Sequence, residues 1–90
     1  MYILALDDEQ CALESLSSEL RLVFPEADIH EETRPSAAIA WAKDLSERGE
    51  ELFYAFLDIQ MRGTNGIAVA AQLKTLHPNV RLFFCTAYTE

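Results

Sequence analysis

FLDIQMRGTNG, residues 56–66, ends an apolar run in one carboxylate and places a glycine eight residues after it. The run, Leu52 to Leu57, reads as a buried strand. An ionised Asp58 at its tip is costly unless something pairs with it. A second stretch, YILALDDE over residues 2–9, also ends an apolar run in acids, Asp7 and Asp8. Whether these three carboxylates meet decides what the chain can do.

The 90 residues suffice for one small domain, residues 1–90. Half of them are apolar, enough to build a core. The net charge of −8, with 15 acids against 7 Lys plus Arg, speaks against nucleic-acid binding by this chain alone, because phosphate contacts need clustered cations. Cys11 and Cys85 follow no metal-ligand spacing and form no disulfide framework, so a reducing, cytoplasmic setting is expected. Cys85 lies in VRLFFC and reads as a small core residue. No apolar run approaches membrane-spanning length, and the N-terminus lacks the basic region of a secretion signal.

Strands and helices alternate. Tyr2–Leu6 reads as a first strand. From Glu9 to about Phe24, Leu13, Leu16, Leu20 and Val23 recur at helical spacing, with Asp8 as a cap and Pro25 as the stop. Ala27–Glu32 is an edge strand that leaves His30 exposed. Pro35 opens a second helix, with Ala38, Ile39, Ala42 and Leu45 on one side, half-buried Trp41, and an end near Gly49. Leu52–Leu57 predicts a central strand covered on both faces. Asp58–Asn65 is a loop. Gly66 opens a third helix with Ile67, Ala70, Leu73 and Leu76 inward, closed by His77-Pro78. Val80–Cys85 is a fourth strand. The order predicts an α/β sheet, mostly parallel. No helix follows the fourth strand, so one sheet face is expected to lack cover and that strand to be an open edge.

In a parallel sheet, Asp7, Asp8 and Asp58 leave their strands at the same end, where ligand sites of open α/β sheets form. If the first and third strands are neighbours, the three acids converge. At about 4 Å each ionised pair repels by roughly 4 kcal/mol at an effective dielectric near 20. A hard divalent cation relieves this, and oxygen-only ligation with room for water suits Mg²⁺. A carboxylate beside such a metal can attack phosphorus.

Together these residues resemble the receiver domain of two-component response regulators. LDDE ends the first strand, FLDIQM the third, the glycine of NG follows Asp58 by eight residues, and FFCTA ends the fourth strand in a threonine and a small residue. The resemblance implies a flavodoxin-like (CheY-like) sheet of order 2-1-3-4, with the fifth strand and last helices missing from this chain. It implies Asp58 as phosphoacceptor, and Asp7, Asp8, Asp58 and the main-chain oxygen of Gln60 as Mg²⁺ ligands. It implies Thr86 as the switch hydroxyl, with Ala87 leaving room for the phosphoryl group and Gln60 and Tyr88 bordering it. The implied partner is a sensor histidine kinase. A separate output domain, most often DNA-binding, is expected in the parent protein. Such a domain assists its own phosphoryl transfer and loss and is otherwise not an enzyme. Two positions depart from the pattern. Arg62 stands where the family usually has proline, and the lysine that ends the fifth strand has no counterpart.

Two other readings compete. A truncated receiver that no longer switches would act as an interaction module, pairing with a second copy through the fourth strand and the uncovered face. A small phosphatase with an aspartyl nucleophile would want an acid two residues after Asp58, where Gln60 stands. His77 reads as a helix end rather than a phosphoryl carrier. RGTNG lacks the Lys-Ser/Thr of a P-loop.

Overall fold

The alternation in the sequence becomes a single parallel sheet with helices on its two faces. The computed structural model describes residues 1–61 and 63–85. Its elements are β1 (Tyr2–Leu6), α1 (Gln10–Val23), β2 (Asp28–Glu32), α2 (Pro35–Glu47), β3 (Leu52–Asp58), β4 (Gln60–Met61), β5 (Thr64–Asn65), α3 (Gly66–Leu76) and β6 (Arg81–Cys85). The sheet order is β2-β1-β3-β6, all parallel. This is the predicted 2-1-3-4 order, with β6 as the fourth strand.

Strand alternation sorts side chains between two faces. On one face Leu4, Leu6, Leu52, Ala55 and Leu57 meet Ala38, Ala42 and Leu45 of α2 and Val69, Ala70 and Leu73 of α3. On the other, Ile3 and Ala5 pack with Leu13 and Leu20 of α1. Pro35 sits in the first turn of α2. Gly49, at φ 77°, ends that helix: its N–H donates to Ser46 O and the N–H of Glu50 to Leu45 O, both at 3.0 Å.

His77 caps α3 at its C-terminal end, as expected of a helix end, and does more. Its ring is buried at the start of β3. Nε2 lies 2.8 Å from Ala42 O, and Nδ1 accepts the N–H of Leu52 at 3.3 Å. A carbonyl only accepts, so the proton is on Nε2. One imidazole thus joins α2, α3 and β3.

Several sequence expectations are corrected. β3 is covered by α2 and α3 on one face and only in part on the other, where Tyr54 and Phe56 are half-buried against the α1-side core. α1 packs over β1 and β2, so Tyr54, Phe56 and Phe83 on that face remain partly exposed. Their rings cover one another instead: Phe56 and Phe83 stack at 4.9 Å, and Tyr54 lies 5.3 Å from Phe24. Cys85 is half-buried rather than in the core. Val23 and Ile67, expected inward, are exposed, while Val69 is buried in place of Ile67. The α1 N-cap is Glu9 rather than Asp8. His30 is half-buried, stacked on Trp41 at 4.3 Å and 3° and bonded through Nε2 to Glu32 at 2.8 Å. Residues 58–65 contain a short antiparallel hairpin rather than a plain loop.

Ser17 is a polar residue the apolar pattern passes over. It is fully buried on α1, and its Oγ has no hydrogen-bond partner among the described residues. A buried hydroxyl without a partner costs stability, and alanine is the better helix former. Ser17→Ala should therefore stabilise the fold by about 1 kcal/mol. Urea denaturation checks this, and a lower midpoint would show that the hydroxyl has a use.

Candidate functional site

The register of two strands builds the site. β1 and β3 are neighbours, and Leu6 pairs with Leu57. The next residues, Asp7 and Asp58, therefore leave the sheet side by side, with Asp8 one step further. One carboxylate oxygen from each of Asp7, Asp8 and Asp58 lies within 4.8 Å of the others. All three residues are half-buried.

Backbone N–H groups hold two of these acids. Asp7 Oδ1 accepts the N–H of Glu9 at 2.9 Å, and the Asp7 N–H donates to Glu32 O of β2 at 3.2 Å. Asp58 Oδ1 accepts the N–H of Gln60 at 3.2 Å. Beyond Asp58 the chain forms the β4–β5 hairpin, pairing Gln60 with Asn65 and Met61 with Thr64. Met61 is buried in the core beneath α2 and α3 and anchors the hairpin there. Asn65 then caps α3, its Oδ1 accepting the N–H of Ala68 at 2.9 Å.

Gly66 closes the loop. Its N–H donates to Ile59 O at 2.7 Å. A Cβ there would overlap the carbonyl oxygen of Asp58 and come within 3.1 Å of the Ile59 Cα. The glycine is required by this close approach to the Asp58 backbone. Sequence reading marks Gly66 by its spacing from Asp58 and misses the steric reason. It also misses Asn65, although Asn directly before a helical pattern is a capping signal, and the anchoring role of Met61, which no local pattern encodes.

The electrostatics follow from the crowding. Partial burial raises the Asp7 carboxyl above its ordinary value, and the charges of Asp58, Asp8 and Glu9 raise it further, against the opposing Glu9 N–H bond. Cys85, level with Asp58 on the neighbouring β6, has its thiol pushed up by burial and by the charges of Asp7, Asp58 and Glu19. Half-buried oxygen ligands in mutual repulsion fit a hard divalent cation that keeps part of its water shell. Gln60 lies beside Asp58 in the hairpin. Thr86, Ala87, Tyr88 and Arg62 lie outside the described residues.

Two outcomes are expected. Gly66→Ala should cost about 1–3 kcal/mol, because backbone rather than a flexible side chain must move; thermal melts check it. A carboxyl raised by the fold stabilises it in the protonated form. That contribution is complete below the unfolded carboxyl's range and is lost as pH rises through the raised value of Asp7. In chelated protein at neutral pH, Asp7→Asn should therefore be more stable than the wild type, with the gap closing as pH falls. A pH-independent gap in denaturant melts would contradict this.

A scan against protein-family models finds no match, and a search of curated proteins finds none. Solved structures do match. A CheY-like response regulator receiver domain from Methanospirillum hungatei JF-1 superposes with a TM-score of 0.78 at 20% identity, over 99% of this chain and 66% of its own. The receiver domain of the histidine kinase CKI1 from Arabidopsis thaliana, complexed with Mg²⁺ and BeF₃⁻, gives 0.79 at 15% identity, over 99% and 67%. A response regulator from Burkholderia pseudomallei, with a phosphorylated aspartic acid, calcium ion and citrate, gives 0.77 at 19% identity, over 99% and 48%. The chain spans about two thirds of the length of the first two and about half of the third. With these superpositions and the parallel β2-β1-β3-β6 sheet, the fold is that of the CheY-like response regulator receiver domains.

Proposed function

We propose that residues 1–90 are a phosphoacceptor receiver domain of a two-component response regulator, with Asp58 as the acceptor. The observation that carries this reading is the convergence of three carboxylates at one end of the sheet. The shared fold supports it, as do Mg²⁺ and a phosphorylated aspartic acid in proteins of that fold.

An oxygen of the Asp58 carboxylate attacks phosphorus on the phosphohistidine of a sensor histidine kinase. The O–P bond forms as the N–P bond breaks, and the histidine nitrogen keeps the electron pair. The Gln60 N–H, already on Asp58 Oδ1, holds the acceptor in place. Asp7, Asp8, Asp58 and the main-chain oxygen of Gln60 would hold Mg²⁺. Bound there, the ion supplies charge neutralisation for the transferring group. The phosphoryl group adds about −1.5 to −2 of charge beside Asp7 and Asp8. Thr86, the next residue in sequence after Cys85, is assigned the responding hydroxyl. Arg62 is a cation close in sequence to the acceptor. The domain acts on its own phosphoryl group rather than on a separate substrate. Its parent protein is assigned an output domain, most often DNA-binding. Both cysteines are free thiols, which suits the cytoplasm, and among the described residues no helix is long and apolar enough to cross a membrane.

Acetyl phosphate with Mg²⁺ should add the mass of one phosphoryl group to the intact chain. Asp58→Asn should abolish the gain, chelator should prevent it, and Asp8→Asn should slow it at least about tenfold. No mass gain in the wild type, or an equal gain in Asp58→Asn, would defeat the reading. A second reading, an interaction module that no longer switches, is favoured by the exposed aromatic residues of β6.

A further inference from the structure

The loop that follows the acceptor is braced from outside the site. Asp58 ends β3, and three residues later Met61 turns back into the core, where it is only 6% exposed. It shares a cluster with Leu57 of β3, Ala38 of α2 and Val69 of α3. Between the two, Gln60 is exposed, yet its N–H reaches Asp58 Oδ1 at 3.2 Å. The hairpin sets Met61 opposite Thr64 and Gln60 opposite Asn65. Its return strand runs directly into α3, whose first residue, Gly66, bonds back to Ile59 O at 2.7 Å. Gly66 thereby restrains the backbone of Asp58 and Ile59 and leaves Gln60 to Met61. Strands of two residues each are too short to hold their own position. The rigidity of this hairpin comes from the core beneath it.

We propose that Met61 is a positioning residue for the acceptor site. Its thioether side chain, rooted under α2 and α3, sets the height of the Gln60 backbone beside Asp58. Two groups depend on that height: the Gln60 N–H that orients the acceptor, and the Gln60 main-chain oxygen assigned to Mg²⁺. Shortening Met61 leaves space below Gln60, and the hairpin settles part-way into it. A shift of about 1 Å at a reacting group is enough to slow a reaction on the order of a hundredfold. Met61 acts through Gln60 and touches neither the metal nor the phosphoryl group. This inference rests on the phosphoacceptor reading and adds that the chemistry at the sheet tip is set by packing between two helices.

Two readouts test it. One is the Mg²⁺ dissociation constant from calorimetry. The other is the rate of mass gain from acetyl phosphate at saturating Mg²⁺, in which the Asp58 O–P bond forms as acetate departs with its electron pair. Met61→Val should weaken Mg²⁺ binding and slow the mass gain, each by about tenfold. Met61→Leu, which keeps the volume, should restore both to within about twofold. Leu45→Val removes volume from the same core at a buried position of α2. It should lower the thermal midpoint as Met61→Val does and leave both readouts unchanged. Thr64→Gly loosens the facing strand without cutting into the core, and should move both readouts in the direction of Met61→Val. That variant carries the test if Met61→Val does not fold. Equal losses in Met61→Val and Leu45→Val would reduce Met61 to core filling and overturn the proposal. So would wild-type readouts in a folded Met61→Val or in Thr64→Gly. A wild type that neither binds Mg²⁺ nor gains mass would remove the phosphoacceptor reading, and this proposal with it.

Discussion

The pairing of β1 against β3 is the constraint on which this molecule turns. Leu6 opposite Leu57 puts two acids, distant in the chain, at the same height on adjacent strands. A slip of one residue would send either Leu4 and Leu6 or Ala55 and Leu57 to the wrong face. The apolar face beneath α2 and α3 therefore fixes the register, and the register fixes the acidic end. Hydrophobic burial in the middle of the sheet opposes the repulsion at its tip.

The two ends of the sheet are held differently. At the start of β3 the His77 ring satisfies a strand N–H and a helix carbonyl together. At the other end, among the described residues, Asp7 and Asp58 accept backbone N–H groups from residues two positions ahead. Such short-range bonds orient a carboxylate without neutralising it. The hairpin after Asp58 is held by Met61 from below and by Gly66 from behind, so the Asp58 backbone has little room to shift.

Much of this was legible in the sequence. Strand order, the α2 core positions and the shared location of the three acids follow from periodicity, strand direction and family resemblance. What escaped depends on tertiary distance. Ile67 fits the helical pattern but lies beyond the line of contact, while Val69 is turned into it. Ser17 breaks the apolar pattern yet lies in the α1 interface. The apolar run of β3 reads as doubly covered because Tyr54 and Phe56 are apolar, but they shield themselves by ring contact with Phe24 and Phe83. The β4–β5 hairpin has strands of two residues each, too short for any period to register. Thr86 lies outside the described residues, so its assigned role stays with the resemblance.

The stack of His30 on Trp41 has a spectroscopic consequence. Trp41 is the only indole in the chain, and its ring lies flat against an imidazole on the β2 flank, with Tyr2 edge-on at 6.3 Å. Intrinsic emission excited at the indole band is thus a local gauge of the seam between α2 and β2. β1 separates that seam from the strand that carries Asp58. Light from this protein reports on one flank of the sheet, and an event at the acidic tip registers in it only by moving that flank.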